Sequence, residues 1–164
     1  MQMKQYPQHM DYHELLELLP YRSPWMLIDR LLSWKDKTIV VQKVVSGADP
    51  MVASHFPKGP SVIPGVLYIE FVSQAILLLG KLTTHDMAPP TETTVLARCR
   101  ADFVSPGFIG DTLTAVVDIQ DVVAGKTVYS GVVSCAERVV CRVNAIAASF
   151  DGPLLSAGYV DAGK

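Results

Sequence analysis

One stretch of this chain constrains the fold more than any other, because residues 66–82 combine a helical repeat with an apolar surface on nearly every side. The positions that recur at steps of three and four residues are Val66, Ile69, Val72, Ser73, Ile76, Leu77 and Gly80. A helix that is apolar on most sides is stable in water only when other elements wrap it. The sequence therefore predicts a long central helix.

Strand patterns lie on both sides of this helix, and they are rich in β-branched residues. The predicted strands are 25–30, 38–45, 94–103, 112–122, 127–136 and 139–150, with turns at 124–126 and 137–138. A short helix is predicted after Asp11, with Glu14 completing a capping box. This order predicts a single α+β domain over residues 1–150, an antiparallel sheet wrapped around one long helix. The Gly/Ala/Ser-rich residues 151–164 are expected to form a loose tail.

Composition excludes several function classes. The net charge of -2 gives no global reason to bind nucleic acid or an anionic membrane. The most apolar stretch is shorter than the roughly 20 residues of a membrane span, and the N-terminus lacks the apolar core of a secretion signal. We therefore expect a cytoplasmic protein. Neither the three cysteines nor the four histidines have metal-site spacing, so no metal is expected.

The residues that suggest chemistry lie in and just after an irregular loop at 46–65. Its apolar and aromatic content indicates a packed, functional loop rather than a disordered one. His55 lies in this loop, and Glu70 lies in the first turns of the long helix. A carboxylate on an apolar helix face is costly unless it is paired or protonated. His55 and Glu70 are therefore a candidate base and a candidate acid.

Two further features could assist such a pair. Gln74 lies four residues after Glu70, on the same helix face, and could hold its carboxyl group. Unpaired N–H groups at Gly65 and Val66, where the helix begins, could polarise a carbonyl group. Each of these residues is also common as ordinary surface or helix-start structure, so spacing alone leaves catalytic and structural interpretations open.

The combination of motifs resembles the β-hydroxyacyl-acyl-carrier-protein dehydratases of fatty-acid synthesis, the FabZ/FabA type, over roughly residues 12 to 150. The segments that carry the resemblance are LPYRSPWMLIDR (19–30), HFP (55–57), PGVL (64–67), Glu70, Gln74 and FVSPGFIGD (103–111). The resemblance implies a hotdog fold. It also implies dehydration of a (3R)-hydroxyacyl thioester to the trans-2-enoyl thioester, in fatty-acid or polyketide and other secondary metabolism. The acyl group is then carried on the phosphopantetheine arm of acyl carrier protein, and no other cofactor is implied.

The resemblance also assigns roles by position. His55 matches the catalytic histidine and Glu70 the catalytic acid, and Glu rather than Asp there favours the plain dehydratase branch over the isomerising one. Gly65, with Val66 beside it, matches the backbone donor to the thioester carbonyl. Gln74 and Pro64 match supporting positions.

Assembly and substrate contacts follow from the same resemblance. It implies a homodimer whose active sites each take His55 and Glu70 from different chains, and the family also forms trimers of dimers. The candidate residues of the acyl tunnel are Phe56, Val62, Ile63, Phe71 and Phe108. Because carrier proteins are acidic, the candidate carrier contacts are Arg22, Lys58, Arg98, Arg100 and Arg138.

Two departures from the family pattern bear on substrate choice. Ser54 stands where the family usually has glycine, and the segment from His55 to Glu70 is one residue longer than usual. These changes favour a specialised pathway at least as well as bulk fatty-acid synthesis. Two other functions remain open: a hotdog acyl thioesterase, and a non-catalytic hotdog acyl-binding subunit.

Overall fold

Within residues 6–56, 58–84 and 92–151, which the computed structural model describes, six strands form one antiparallel sheet with a long helix packed on it. The elements are α1 (Tyr12–Leu18), β1 (Arg30–Lys35), β2 (Thr38–Val44), α2 (Pro50–Ala53), α3 (Val66–Thr84), β3 (Glu92–Phe103), β4 (Thr112–Val123), β5 (Lys126–Cys135) and β6 (Arg138–Asp151). The strand order is β1-β2-β4-β5-β6-β3. The predicted α+β hotdog arrangement is confirmed. Apart from Asp151, the predicted tail lies outside the described residues.

The core lies between α3 and the face of the sheet on which it packs. Leu67, Phe71 and Leu78 of α3 are at most 2% exposed. Val72 packs so closely on β5 that a Cβ at Gly131 would lie 2.6 Å from it. By length and composition alone, Val66–Thr83 could cross a membrane. Its packing against five strands identifies α3 as a core helix instead.

The first helix was predicted correctly, and the first strand was not. Asp11 accepts from the backbone of Glu14, and the Glu14 carboxylate accepts from Asp11 N–H at 2.8 Å, so the predicted capping box is present. The first strand is Arg30–Lys35 rather than residues 25–30. Residues 26–28 are buried, but Leu27 N–H donates to the Gln74 side chain instead of to a neighbouring strand.

The loop that carries His55 is tied to the rest of the fold at both ends. Near its start it contains α2, whose N-cap Asp49 lies 3.2 Å from the buried ammonium group of Lys43. Near its end, Val62 forms an isolated β-bridge with Phe108. Phe108 belongs to the connection between β3 and β4, residues 104–111, here called the β3–β4 loop. These contacts fix where His55 lies.

The two edges of the sheet differ. Met10 bridges to Leu31 through two backbone hydrogen bonds, so the β1 edge is partly covered. β3 is the strand at the opposite edge, and no described strand pairs with its outer side. Leu96 and Phe103 on this strand are about half exposed, at 47% and 56%. An open edge with apolar side chains is suited to pairing with another chain.

Candidate active site

The carboxyl group of Glu70 is held by two N–H donors on the same oxygen. Its Oε1 accepts from Trp25 Nε1 at 3.1 Å and from Gln74 Nε2 at 2.9 Å. Neither bond uses Oε2. A protonated carboxyl group in this arrangement carries its proton on Oε2, because both donors already point at Oε1.

Gln74 is fully buried and uses both ends of its amide group. Its Nε2 also donates to the Trp25 carbonyl at 2.7 Å, and its Oε1 accepts from Leu27 N–H at 2.9 Å. These bonds fasten the segment that carries Trp25 to the face of α3 that carries Glu70. The carboxyl group is therefore fixed from two elements that are 45 residues apart in sequence.

His55 is exposed and lies against Phe56, with ring centroids 4.1 Å apart. Its Nδ1 is 3.4 Å from the carbonyl oxygen of Val62. When Nδ1 carries the proton it donates to this carbonyl, and the lone pair then lies on Nε2. A neutral histidine in that tautomer can accept a proton at Nε2.

The start of α3 presents backbone donors. Leu67 and Tyr68 donate back to Pro64 and Gly65 across the first turn. Within the part of the chain that the structure describes, the N–H groups of Gly65 and Val66 meet no acceptor. Such groups at a helix N-terminus can bind a carbonyl oxygen that becomes negative.

A cavity of about 210 Å³ adjoins Glu70. Its polar wall comprises Tyr21, Trp25, Ser73, Thr94 and Tyr129. Its apolar wall comprises Ile76, Leu77, Val95, Leu96 and Ala147. His55 is not among the residues that line this cavity in the single chain.

Hydroxyl groups give the cavity its polar character. Ser73 Oγ donates to the Ile69 carbonyl at 2.8 Å, so the Tyr129 hydroxyl, 3.0 Å away, is the donor to Ser73. Burial, with the nearby Glu70 carboxylate as a lesser cause, raises the pKa of Tyr21 above its usual value. Burial likewise raises the pKa of Tyr129. Both phenols are therefore neutral near pH 7 and offer hydrogen-bonding groups beside the carboxyl group.

The site thus combines an acid on the central helix, beside a cavity, with a histidine in the preceding loop. A protein-family model matches the part of the chain that contains both residues. The model of the ApeP-like dehydratases matches residues 13–149. The chain belongs to the ApeP-like dehydratase family.

Curated relatives agree with this placement. The chain is 35% identical, over 85% of its length and 93% of the relative's, to the 3-hydroxyacyl-[acyl-carrier-protein] dehydratase FabZ of Variovorax paradoxus. It is 38% identical to the FabZ of Polaromonas naphthalenivorans, over 81% of this chain and 92% of that protein. Among solved structures, the dehydratase heterocomplex ApeI:P from Xenorhabdus doucetiae superposes with a TM-score of 0.76 at 17% identity. That match covers 90% of this chain and 97% of that one.

The predicted tunnel residues of this ApeP-like dehydratase lie apart from the cavity at Glu70. None of Phe56, Val62, Ile63, Phe71 and Phe108 lines it in the single chain. Phe71 is 1% exposed and belongs to the core, whereas Phe56 and Phe108 are exposed. Their role in a tunnel stays a prediction for the assembled enzyme.

The five predicted carrier contacts differ in their surroundings. Lys58, Arg98 and Arg100 are exposed. Arg22 is exposed but donates to the carbonyl groups of Leu19 and Tyr21. Arg138 is bound within the chain, with Nη2 2.8 Å from Asp111 Oδ2. Its donors are therefore largely committed.

Sequence reasoning missed Trp25 and Tyr129 as parts of the site. Trp25 lies in a segment expected to be a strand, and Tyr129 lies in the middle of β5. The available signal for Trp25 was an indole donor beside the LPYRSP segment that carries the resemblance. For Tyr129 it was the phase of β5, where alternate residues face α3.

Proposed function

We propose that this chain dehydrates 3-hydroxyacyl groups carried on acyl carrier protein, giving trans-2-enoyl thioesters. The observation that carries the proposal is the Glu70 carboxyl group, held through Oε1 by Trp25 and Gln74 beside a cavity. Membership of a dehydratase family and identity to FabZ enzymes over most of the chain support the same reaction.

The chemistry assigns one task to each group. Backbone N–H groups at Gly65 and Val66 bind the thioester carbonyl, and this makes the neighbouring α-hydrogen more acidic. His55 removes that hydrogen through Nε2 while Nδ1 is held toward Val62. Glu70 gives the proton on Oε2 to the departing β-hydroxyl, which leaves as water. The arm-bound enoyl thioester is the product, and no other cofactor takes part in the scheme.

The proposed enzyme is a homodimer with sites shared between chains. In the single chain His55 is exposed and does not line the cavity at Glu70, and this supports a site that a second chain completes. The open edge of β3 offers the surface for that pairing. A second, different hotdog chain is the alternative partner, since one of the similar solved structures is a heterocomplex. A cytoplasmic location belongs to the same proposal.

The test is a panel of 3-hydroxyacyl groups loaded on acyl carrier protein and followed by mass spectrometry. We expect loss of one water from at least one substrate. His55→Ala and Glu70→Gln should each lower turnover by about a hundredfold or more, because each removes an acid or a base. His13→Ala and Glu17→Gln, both at exposed positions of α1, serve as matched controls. Release of free thiol without enoyl product would identify a thioesterase instead.

A further inference from the structure

One arginine at the start of β6, Arg138, contacts four residues of the β3–β4 loop. Arg138 Nη2 is 2.8 Å from Asp111 Oδ2, and Nη1 is 3.2 Å from Ser105 Oγ. Nη1 also donates to the carbonyl of Pro106. The guanidinium carbon lies 5.7 Å from the centre of the Phe108 ring. A planar, multiply donating cation is suited to fixing several loop groups at once.

Asp111 closes the loop from its other end. Its Oδ2 accepts from Phe108 N–H at 3.0 Å as well as from Arg138. Ser105 Oγ in turn donates to the Val139 carbonyl at 2.7 Å. The loop is thus fastened to β6 by side chains, since it contains no regular strand of its own.

The loop fixed in this way forms backbone hydrogen bonds to the segment that follows His55. Ile63 N–H donates to the Gly107 carbonyl at 3.0 Å, and Ile109 N–H donates to the Ser61 carbonyl at 2.9 Å. Between these bonds, Val62 pairs with Phe108.

The pairing sets the position of the group that orients the histidine. The Val62 carbonyl lies 3.4 Å from His55 Nδ1. A shift of the β3–β4 loop would move this carbonyl, because the segment on both sides of it is bonded to the loop.

The same loop also contacts the helix that carries Glu70. Gly107 N–H donates to the Tyr68 hydroxyl at 2.8 Å, and Tyr68 is 3% exposed, two residues before Glu70. A Cβ at Gly107 would lie 2.7 Å from that hydroxyl oxygen, so the contact leaves no room for a side chain.

We propose that Arg138 is a positioning residue that holds the β3–β4 loop in place. The loop in turn fixes the position of the Val62 carbonyl, which orients His55, and of the first turns of α3, which carry Glu70. The inference rests on the proposed function, since it assigns His55 and Glu70 their roles. It replaces the expectation that Arg138 contacts the carrier protein. Loss of the Arg138 contacts matters because a displacement of about 1 Å in a catalytic group can lower the rate about a hundredfold.

The experiment compares two substrates that carry the same 3-hydroxyacyl group, one on acyl carrier protein and one as a short N-acetylcysteamine thioester. In Arg138→Met we expect kcat to fall about ten- to a hundredfold on both substrates, with KM nearly unchanged. Arg138→Lys should recover part of kcat, because a single ammonium group can still pair with Asp111 but cannot also reach Ser105 and Pro106. Arg142→Met, at an exposed position of the same strand, is the control and should match the parent protein.

Three outcomes overturn the proposal. A higher KM confined to the carrier-bound substrate identifies Arg138 as a carrier contact. Unchanged kcat with a lower Tm identifies a purely structural residue. The third readout needs no turnover: the ¹⁵N signals of the His55 ring, assigned with His55→Ala, should shift in Arg138→Met but not in Arg142→Met. Unshifted signals would reject the positioning role of Arg138, whether or not the parent protein has dehydratase activity. A parent protein without that activity would separately reject the proposed function.

Discussion

The position of the Glu70 carboxyl group depends on the amide group of Gln74. It has no exposed surface and makes three hydrogen bonds, to Glu70, to the Trp25 carbonyl and to Leu27 N–H. Replacing it with leucine leaves the buried N–H of Leu27 without a partner and removes the donor to the partly buried Trp25 carbonyl. A buried N–H without a partner costs about 1–3 kcal/mol.

We therefore expect Gln74→Leu to lower the free energy of unfolding by at least about 1 kcal/mol, measured by urea denaturation. Turnover should also fall, though less than in Glu70→Gln, because Trp25 still holds Oε1. Gln120→Leu, at an exposed position of β4, is the matched control. Parent-like stability in Gln74→Leu would show that these bonds do not stabilise the fold.

For individual residues, the sequence predicted the contacts that depend only on spacing along one helix. Glu70 and Gln74 are four residues apart on one helix, and the structure has the hydrogen bond that this spacing predicts. Trp25 could not be found in this way, because its contact with Glu70 depends on how a distant segment crosses α3. The catalytic roles of His55 and Glu70 stay predictions until turnover is measured.

Among the elements, α3 and the last four strands were predicted with bounds within two residues, because each has a clear period and a turn at its ends. The first strand was misplaced by about five residues. Residues 26–28 are apolar enough for a strand, but they cover α3 and bond to Gln74. Local composition does not distinguish burial against a helix from burial within a sheet.

The close approach of β5 to α3 gives a prediction about packing. Gly131→Ala places a methyl group 2.6 Å from Val72 Cγ1, so overpacking should cost about 1–3 kcal/mol of stability. Adding Val72→Ala should relieve part of that cost, which a double-mutant cycle in urea measures. Gly80→Ala, where a Cβ meets nothing within 4 Å, should instead stabilise the helix slightly. Additive effects of Gly131→Ala and Val72→Ala would contradict the contact.

The β3–β4 loop gives a prediction about pH. The N–H of Phe108, and to a lesser degree Arg138, hold the pKa of Asp111 below its usual value. A carboxylate with a depressed pKa in the folded state stabilises the protein above the unfolded pKa, about 3.9 for Asp. That contribution is lost as the pH falls through the lower folded value.

Asp111→Asn should therefore be less stable than the parent protein at pH 7. This gap in stability between the two proteins should close as the pH falls below about 4. Thermal unfolding followed between pH 7 and pH 3 measures it. Asp36→Asn, at the exposed turn between β1 and β2, is the control and should show no such gap. A gap that stays constant with pH would mean that Asp111 acts through packing rather than charge.

For the whole molecule, the proposed shared site predicts recovery of activity in a mixed dimer. One chain carries His55→Ala and its partner carries Glu70→Gln. One site then receives both damaged residues, and the other receives both intact ones, as two-fold symmetry requires. The doubly tagged dimer should have about half of the parent activity. Activity no higher than that of either mutant homodimer would place both residues of a site in the same chain.

The edge strand β3 has twelve residues, and its outer side is left unpaired by the described strands. In an enzyme completed along that edge, a newly made chain is inactive until it meets its partner. Activity at low concentration then rises with the product of the two partner concentrations rather than with either one alone. The specific activity of such an enzyme depends on the concentration of its chains as well as on their sequence. Dilution alone lowers it, because the chains separate.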